Sequence, residues 1–176
     1  MRRPMVTKPA GDVRVMLDTS VLLSGVIWPR WPYEVLQHAI RGDYRLVMAP
    51  LLLAEARRKY QERFPAHAAD FEAFLASVPY DLAANPTAED VRDNQSLMRD
   101  SNDVPIALAA IQADVDYFVS EDRDFTDRNE TTALLHSRLT VLLSGTFLRV
   151  VMGWSSEELE RVGGRSWPDL AGSDFG

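Results

Sequence analysis

The chain has 176 residues, of which 46% are hydrophobic, and it contains no cysteine. This length predicts a single domain with a sizeable core, and the lack of cysteine excludes disulfides, zinc–thiolate sites and thiol nucleophiles. The net charge of −7 argues against a broadly basic nucleic-acid-binding surface, although carboxylates gathered around metal ions would give the same charge balance.

The amino-terminal segment, MRRPMVTKPA, is basic but has no apolar run behind it, so it does not fit a secretory signal. No apolar run in the sequence reaches the roughly 18 residues that a membrane-spanning helix needs. We therefore expect a cytoplasmic protein with no membrane partner.

The first half of the chain alternates strand-like and helix-like patterns. VRVML at 13–17 is rich in β-branched residues at alternate positions, and the helical pattern after it is broken by Pro29 and Pro32. Gly42 suits the position just after the end of a second helix. The predicted elements are a strand at 13–17, helices at 19–28 and 33–40, a strand at 44–49, and helices at 50–64 and 68–78.

The second half continues this alternation. VPIALAAIQAD is apolar at helical spacing, with Pro105 in its first turn. Strands alternating with helices predict an α/β fold, with a parallel sheet covered by helices on both faces. The predicted helices are 88–99, 104–114 and 145–154, and the predicted strands are 116–120 and 138–143.

The segment after Trp154 is polar and contains several glycines. Ser155 and Glu158 match a capping box, which predicts a short helix followed by a loose tail. We therefore divide the chain into an amino-terminal extension at 1–12, a single domain at 13–153 and a carboxyl-terminal tail at 154–176.

Acidic residues follow the predicted strands. Asp18 comes directly after the first strand, and Asp122 and Asp124 come directly after the strand at 116–120. Asp103 begins the helix that leads into that strand, and Glu55 lies in the first turns of the helix after the second strand. Because ligands of open parallel sheets bind beyond the carboxyl ends of the strands, we expect these acids to share one edge.

Each acid also has an ordinary structural explanation. Asp18 and Asp103 could cap the helices that follow them, and Glu55 could form an ion pair within its own helix. Asp122 and Asp124 could be turn residues. Capping does not explain why acids from four segments meet at one edge, which is what a divalent-metal site requires.

Such a site suits the hydrolysis of phosphodiester bonds. Magnesium and manganese favour oxygen ligands, and a bound ion lowers the pKa of a water and stabilises charge on a phosphoryl oxygen. This chemistry needs neither histidine nor cysteine, and the three histidines are scattered. The sequence contains no GxSxG, P-loop or GxGxxG motif.

Three segments carry a family resemblance: VMLDTSVLLSG, APLLLAEARRKY and SNDVPIALAAIQADVDYFVSEDRDF. In this order and spacing they resemble the PIN domain family, and in particular the longer VapC-type toxins. The resemblance covers roughly residues 13–150. It implies a PIN-like three-layer α/β/α sandwich with a central parallel sheet, and a ribonuclease that depends on Mg²⁺ or Mn²⁺.

The resemblance also implies roles for individual residues. Glu121 departs from the pattern, because small residues are common at that position, and it adds a charge beside the site. The stretch from Phe64 to Arg99 and the segment after Trp154 are longer than in a minimal VapC-type toxin. The implied catalytic and metal-binding residues are Asp18, Glu55, Asp103 and Asp122, with Asp124 as an accessory metal ligand and Ser20 and Ser120 as supporting residues.

The leading hypothesis is a metal-dependent endoribonuclease that acts as the toxin of a type II toxin–antitoxin pair. Its expected partners are an RNA substrate, a cognate antitoxin protein and a second copy of the chain in a homodimer. One alternative is a housekeeping PIN-domain nuclease that processes RNA. Another is a scaffold that binds RNA or protein without cleaving it.

Overall fold

A five-stranded parallel sheet forms the centre of the protein. The computed structural model describes residues 8–173, so residues 1–7 of the expected extension and 174–176 of the expected tail lie outside the described part. The strands are β1 (Arg14–Leu17), β2 (Arg45–Met48), β3 (Tyr80–Leu82), β4 (Tyr117–Val119) and β5 (Val141–Leu142).

Helices pack on both faces of this sheet, which confirms the predicted three-layer α/β/α sandwich. Within residues 8–173 no helix is long and apolar enough to cross a membrane. The α-helices are α1 (Thr19–Ile27), α2 (Trp31–Ile40), α3 (Pro50–Arg63), α4 (Ala68–Ser77), α5 (Ala88–Asp93), α6 (Val104–Gln112), α7 (Arg123–Thr126), α8 (Ala133–Arg138), α9 (Ser144–Val150), α10 (Ser156–Gly163) and α11 (Trp167–Ser173). Short 3₁₀ turns occur at Ala10–Asp12, Pro65–His67, Gln95–Leu97 and Ser101–Asp103.

The strand order β3-β2-β1-β4-β5 places a topological switch point between β1 and β4. The chain runs outward from β1 through β2 to β3, and then returns to start again at β4 beside β1. The connections therefore leave these two strands in opposite directions, and a crevice opens beyond their carboxyl ends. The backbone N–H of Asp18 donates to the carbonyl of Val119 at 2.9 Å, so β1 and β4 end side by side at this crevice.

The central strands are buried on both faces, as expected for a parallel sheet. Val15, Met16 and Leu17 of β1 are fully buried, and Phe118 and Val119 of β4 are buried to the same degree. The sheet therefore gives a rigid base to the residues that follow β1 and β4.

The predicted break between the first two helices is confirmed. α1 ends at Ile27 and α2 begins at Trp31, with Pro32 in its first turn. Gly42 has φ +76°, and its N–H donates to Ala39 while the N–H of Asp43 donates to His38. These two bonds form a Schellman motif, so glycine is favoured at that position.

Two local predictions were wrong. The helix expected at 88–99 stops at Asp93 as α5 and continues only as the 3₁₀ turn Gln95–Leu97. The strand expected at 138–143 is reduced to Val141–Leu142, because Arg138 ends α8. The sequence reading also missed β3, α7 and α8, which are all short elements positioned by their tertiary neighbours.

The segment after Trp154 was expected to be a short helix followed by a loose tail, but it is helical up to Ser173 apart from a short break. The capping box of Ser155 and Glu158 is present and starts α10, but a second helix, α11, follows it. Trp167 Nε1 donates to the carbonyl of Ile27 at 2.9 Å. Arg165 is paired with Glu34 at 2.7 Å, and both side chains are only 15% exposed. The segment is held by these contacts with the α1–α2 region, which polar composition could not reveal.

Candidate metal centre

Asp18 is a buried carboxylate at the carboxyl end of β1. It is 5% exposed and caps α1 by accepting a hydrogen bond from the N–H of Thr19 to Oδ1 at 2.8 Å. Its Oδ2 accepts from the hydroxyls of Ser120, at 2.7 Å, and Ser20, at 3.0 Å. Burial raises the pKa of Asp18, and these hydrogen bonds oppose that rise because they favour the charged form. The capping role is therefore real, and the two serines hold the carboxylate in a fixed orientation.

Asp122 and Asp124 lie in the turn directly after β4. Ser120 Oγ accepts from the N–H of Asp122 at 3.0 Å, and Asp122 Oδ1 accepts from the N–H of Asp124 at 2.9 Å. The second bond caps α7. Asp124 Oδ1 also accepts from Nη2 of the exposed Arg99 at 2.6 Å. Ser120 thus links the acids after β4 to Asp18 after β1.

Asp103 reaches the same edge from the start of α6, where its side chain makes no capping bond. The neighbouring Asp100, which the sequence reading missed, caps the 3₁₀ turn by accepting from the N–H of Asn102 at 2.9 Å. Oxygen atoms of Asp100, Asp103 and Asp124 all lie within 4.8 Å of one another. The spacing of two aspartates three residues apart before α6 was the one available signal for Asp100.

Negative charge is concentrated around Asp103. Burial and four neighbouring carboxylates raise its pKa to about 7. Burial is the largest single cause, and each nearby negative charge adds to it because a second charge is harder to create beside the first. A divalent cation would remove this penalty. The four carboxylates, in order of decreasing effect, are Asp100, Asp122, Asp18 and Asp124.

Glu55 stands slightly apart from these aspartates. Its Oε2 accepts from Thr19 Oγ1 at 3.2 Å, and its Oε1 pairs with Lys59 Nζ at 3.1 Å. The expected ion pair within the helix therefore exists, and Thr19 connects Glu55 to the residue that follows Asp18. The close group of Asp100, Asp103 and Asp124 includes neither Glu55 nor Asp18 and Asp122.

The donor set at this edge fits a hard divalent cation. All of its acidic groups are carboxylates, which Mg²⁺ and Mn²⁺ prefer. They come from the ends of β1 and β4 and from the segment before α6, so the fold fixes their separation. Such an arrangement can neutralise a divalent ion and orient a phosphate ester beside it.

Comparison with known proteins relates the chain to one family. A family model described as PIN domain matches residues 14–124. Among curated proteins, none matches the sequence. The structure is similar to that of PAE2754 from Pyrobaculum aerophilum, with a TM-score of 0.55, 14% identity, and coverage of 84% of this chain and 100% of that one. It is also similar to VapBC2 from Rickettsia felis, solved bound to a DNA fragment from the promoter, with a TM-score of 0.52, 16% identity, and coverage of 74% and 98%.

Proposed function

Because the chain belongs to the PIN domain family, we propose that it is an endoribonuclease that depends on a divalent metal ion. Members of this family are generally nucleases. The observation that carries the proposal is the convergence of Asp18, Asp103, Asp122 and Asp124 on the crevice between β1 and β4, where ligands of such sheets bind.

In this proposal Asp18, Glu55, Asp103 and Asp122 hold the ion, and Asp124 is an accessory ligand. When bound, Mg²⁺ or Mn²⁺ would lower the pKa of a water and stabilise charge on a phosphoryl oxygen. The side chains contribute position and charge. Ser20 and Ser120 orient Asp18 through their hydroxyls. The negative charges gathered around Asp103 favour the binding of a cation there.

The test is cleavage of a mixed RNA pool by the purified protein. We expect cutting with Mg²⁺ or Mn²⁺, none with chelator, and loss of at least about 100-fold in the Asp18→Asn and Asp103→Asn variants, since removing one key electrostatic group commonly costs that much. Glu130→Gln, an exposed acid in the loop before α8, is the matched control and should cut normally.

Circular dichroism must show that each inactive variant is folded. If the folded Asp18→Asn and Asp103→Asn proteins cut as fast as the wild type, the carboxylates are not the catalytic site. If wild type and variants are all folded and inert in every metal, and calorimetry shows no metal binding, a non-cleaving binding scaffold replaces the nuclease.

We also propose that the protein is a cytoplasmic toxin, with an antitoxin partner and a homodimeric assembly. Similarity to the VapBC2 structure supports the antitoxin partner in this part of the proposal. Expression of the wild type alone should arrest growth of a bacterial host, Asp103→Asn should not, and co-expression with a small protein encoded beside it should restore growth. Unimpaired growth with active nuclease would favour a housekeeping role in RNA processing instead.

A further inference from the structure

A cavity of about 360 Å³ lies beside the carboxylates, and nothing in the proposed chemistry uses it. Aromatic rings form part of its wall, and it carries one acidic and one basic side chain. The residues that matter here are Ser24, Trp28, Arg30, Trp31, Glu121 and Gly163.

The cavity shares a wall with the candidate metal centre. The backbone N–H of Glu121 donates to Ser20 Oγ at 3.1 Å, and Ser20 in turn donates to Asp18 Oδ2. Ser24 lies one helical turn after Ser20 on α1, so the two serines face the same side. The hydrogen bonds from Glu121 through Ser20 to Asp18 therefore connect the wall of this cavity directly to the aspartates.

Two tryptophans give the cavity a flat, fixed lining. Trp31 Nε1 donates to the carbonyl of Leu159 at 2.8 Å, and its ring lies against Gly145 and Gly163. Trp28 is 41% exposed and is held at one side by an edge contact with Phe64. The exposed part of its ring is available for stacking, which is how single-stranded nucleic acids bind to proteins.

Glu121 gives the cavity a directed acceptor. Its Oε1 accepts from the N–H of Ser144, the first residue of α9, at 3.0 Å. This bond fixes the side chain while the carboxylate keeps further lone pairs for a ligand. Arg30 is the positively charged residue of the cavity. Its side chain is exposed, and its Nε donates to the carbonyl of Arg165 at 3.3 Å. A guanidinium anchored in this way suits contact with a phosphate of the bound strand.

We propose that this cavity binds one nucleobase of the RNA substrate next to the scissile phosphate, and that Glu121 selects guanine. The inference rests on the proposed ribonuclease function. An ionised carboxylate only accepts hydrogen bonds, and guanine is the base whose pairing edge offers two adjacent donors, N1–H and the N2 amino group. Adenine and cytosine place an acceptor beside their amino donor, and uracil flanks its donor with two carbonyls.

The first test measures binding without any cleavage. Guanosine, adenosine, cytidine and uridine monophosphates are titrated into the wild-type protein, and quenching of tryptophan fluorescence is followed. We expect guanosine monophosphate to bind roughly tenfold or more tightly than the others, because a bidentate contact discriminates bases by about that factor.

Three variants localise the effect. Glu121→Gln keeps an oxygen for the N–H of Ser144 and should reduce the preference for guanosine monophosphate to a few-fold. Trp28→Ala should weaken binding of all four nucleotides by roughly tenfold, since stacking tolerates any base. Glu130→Gln, which removes an equivalent charge elsewhere, should change nothing. Equal affinity for the four nucleotides in the wild type, or an unchanged preference in Glu121→Gln, overturns the proposal.

The second test sequences the ends produced from a randomised RNA pool. Wild-type products should show guanine at one fixed position beside the cut, and Glu121→Gln products should not. Metal-dependent cutting with no base preference would overturn the guanine site while leaving the nuclease intact. If the wild type does not cut at all, the ribonuclease proposal fails on its own test, and nucleotide binding still decides whether the cavity recognises guanine.

Discussion

Replacing Asp103 by asparagine should stabilise the metal-free protein and abolish its stabilisation by metal. The substitution keeps the shape of the side chain and removes one charge from a group of five carboxylates. A residue that merely supported the fold would give the opposite sign in the absence of metal. The variant therefore separates a metal ligand from a structural aspartate.

The expected magnitude follows from the environment of Asp103. Its pKa is raised from 3.8 to about 7, and at about 1.36 kcal/mol per pH unit this sets a ceiling near 4 kcal/mol. The side chain is only partly buried, so solvent screening reduces the gain to about 1–2 kcal/mol. For a protein of this size that corresponds to a rise of roughly 2–8 °C in Tm.

The gain should depend on pH with a definite sign. In the wild type the unfolded carboxyl ionises near pH 4, whereas the folded one stays protonated until about pH 7. Wild-type stability is therefore lost as pH rises through this window, and Asp103→Asn escapes the loss. The difference in Tm between the two proteins should be largest near pH 8 and vanish near pH 4.

Differential scanning calorimetry with and without Mn²⁺ at pH 8 makes the measurement. At a concentration about 100 times Kd, the wild type should gain about 2.7 kcal/mol, and Asp103→Asn should gain almost nothing. Asp103→Asn should therefore have the higher Tm in chelator, and the wild type should have the higher Tm in Mn²⁺. Asp70→Asn, an exposed acid on α4, is the control and should follow the wild type. A less stable Asp103→Asn protein in chelator, or one that keeps the response to Mn²⁺, would refute the reasoning.

Two further predictions concern the support of the site. Ser120→Ala removes a hydroxyl that donates to Asp18 at 2.7 Å in a fully buried position. The free energy of unfolding, measured by urea denaturation, should therefore fall by about 1–3 kcal/mol. An unchanged free energy of unfolding would mean that water replaces the hydroxyl. Gly25→Ala would place a Cβ 2.5 Å from Leu36 Cδ1 and 2.9 Å from a carbonyl oxygen, and should cost about 1–3 kcal/mol. Gly164→Ala, where a Cβ meets nothing within 4 Å, should shift the urea midpoint very little, and equal effects of the two alanines would contradict the packing argument.

The parts of the site that could be predicted are those that a local sequence pattern marks, namely acids that follow a predicted strand. Asp18 directly follows β1 and Asp122 lies in the turn after β4, and the carboxyl ends of neighbouring parallel strands must meet. Asp100 could not be found in this way, because only the 3₁₀ turn Ser101–Asp103 brings it back beside Asp103. Glu55 was predicted as an equal member of the cluster, whereas the structure connects it to Asp18 through Thr19.

The missed elements share one physical cause. β3 has only three residues, and Tyr80 and Leu82 are exposed at the sheet edge, so no apolar alternation marks it. α11 is fixed by Trp167, whose indole donates to Ile27 far away in sequence. Both elements exist because another part of the chain supplies their partners, and such partners are not visible in a local window.

Asp18 can cap α1 and bind a metal ion at the same time, so the two explanations of this residue do not compete. A carboxylate offers about four lone-pair sites, and among the described residues Asp18 uses three of them, for Thr19, Ser20 and Ser120. One site remains, on Oδ1, so in the proposed metal centre Asp18 would bind the ion through a single oxygen whose orientation its neighbours fix. Asp103 makes no capping bond, and burial together with four neighbouring carboxylates raises its pKa. In the proposed centre, three hydrogen bonds would thus keep Asp18 in place, whereas a bound cation would relieve the electrostatic penalty that raises the pKa of Asp103.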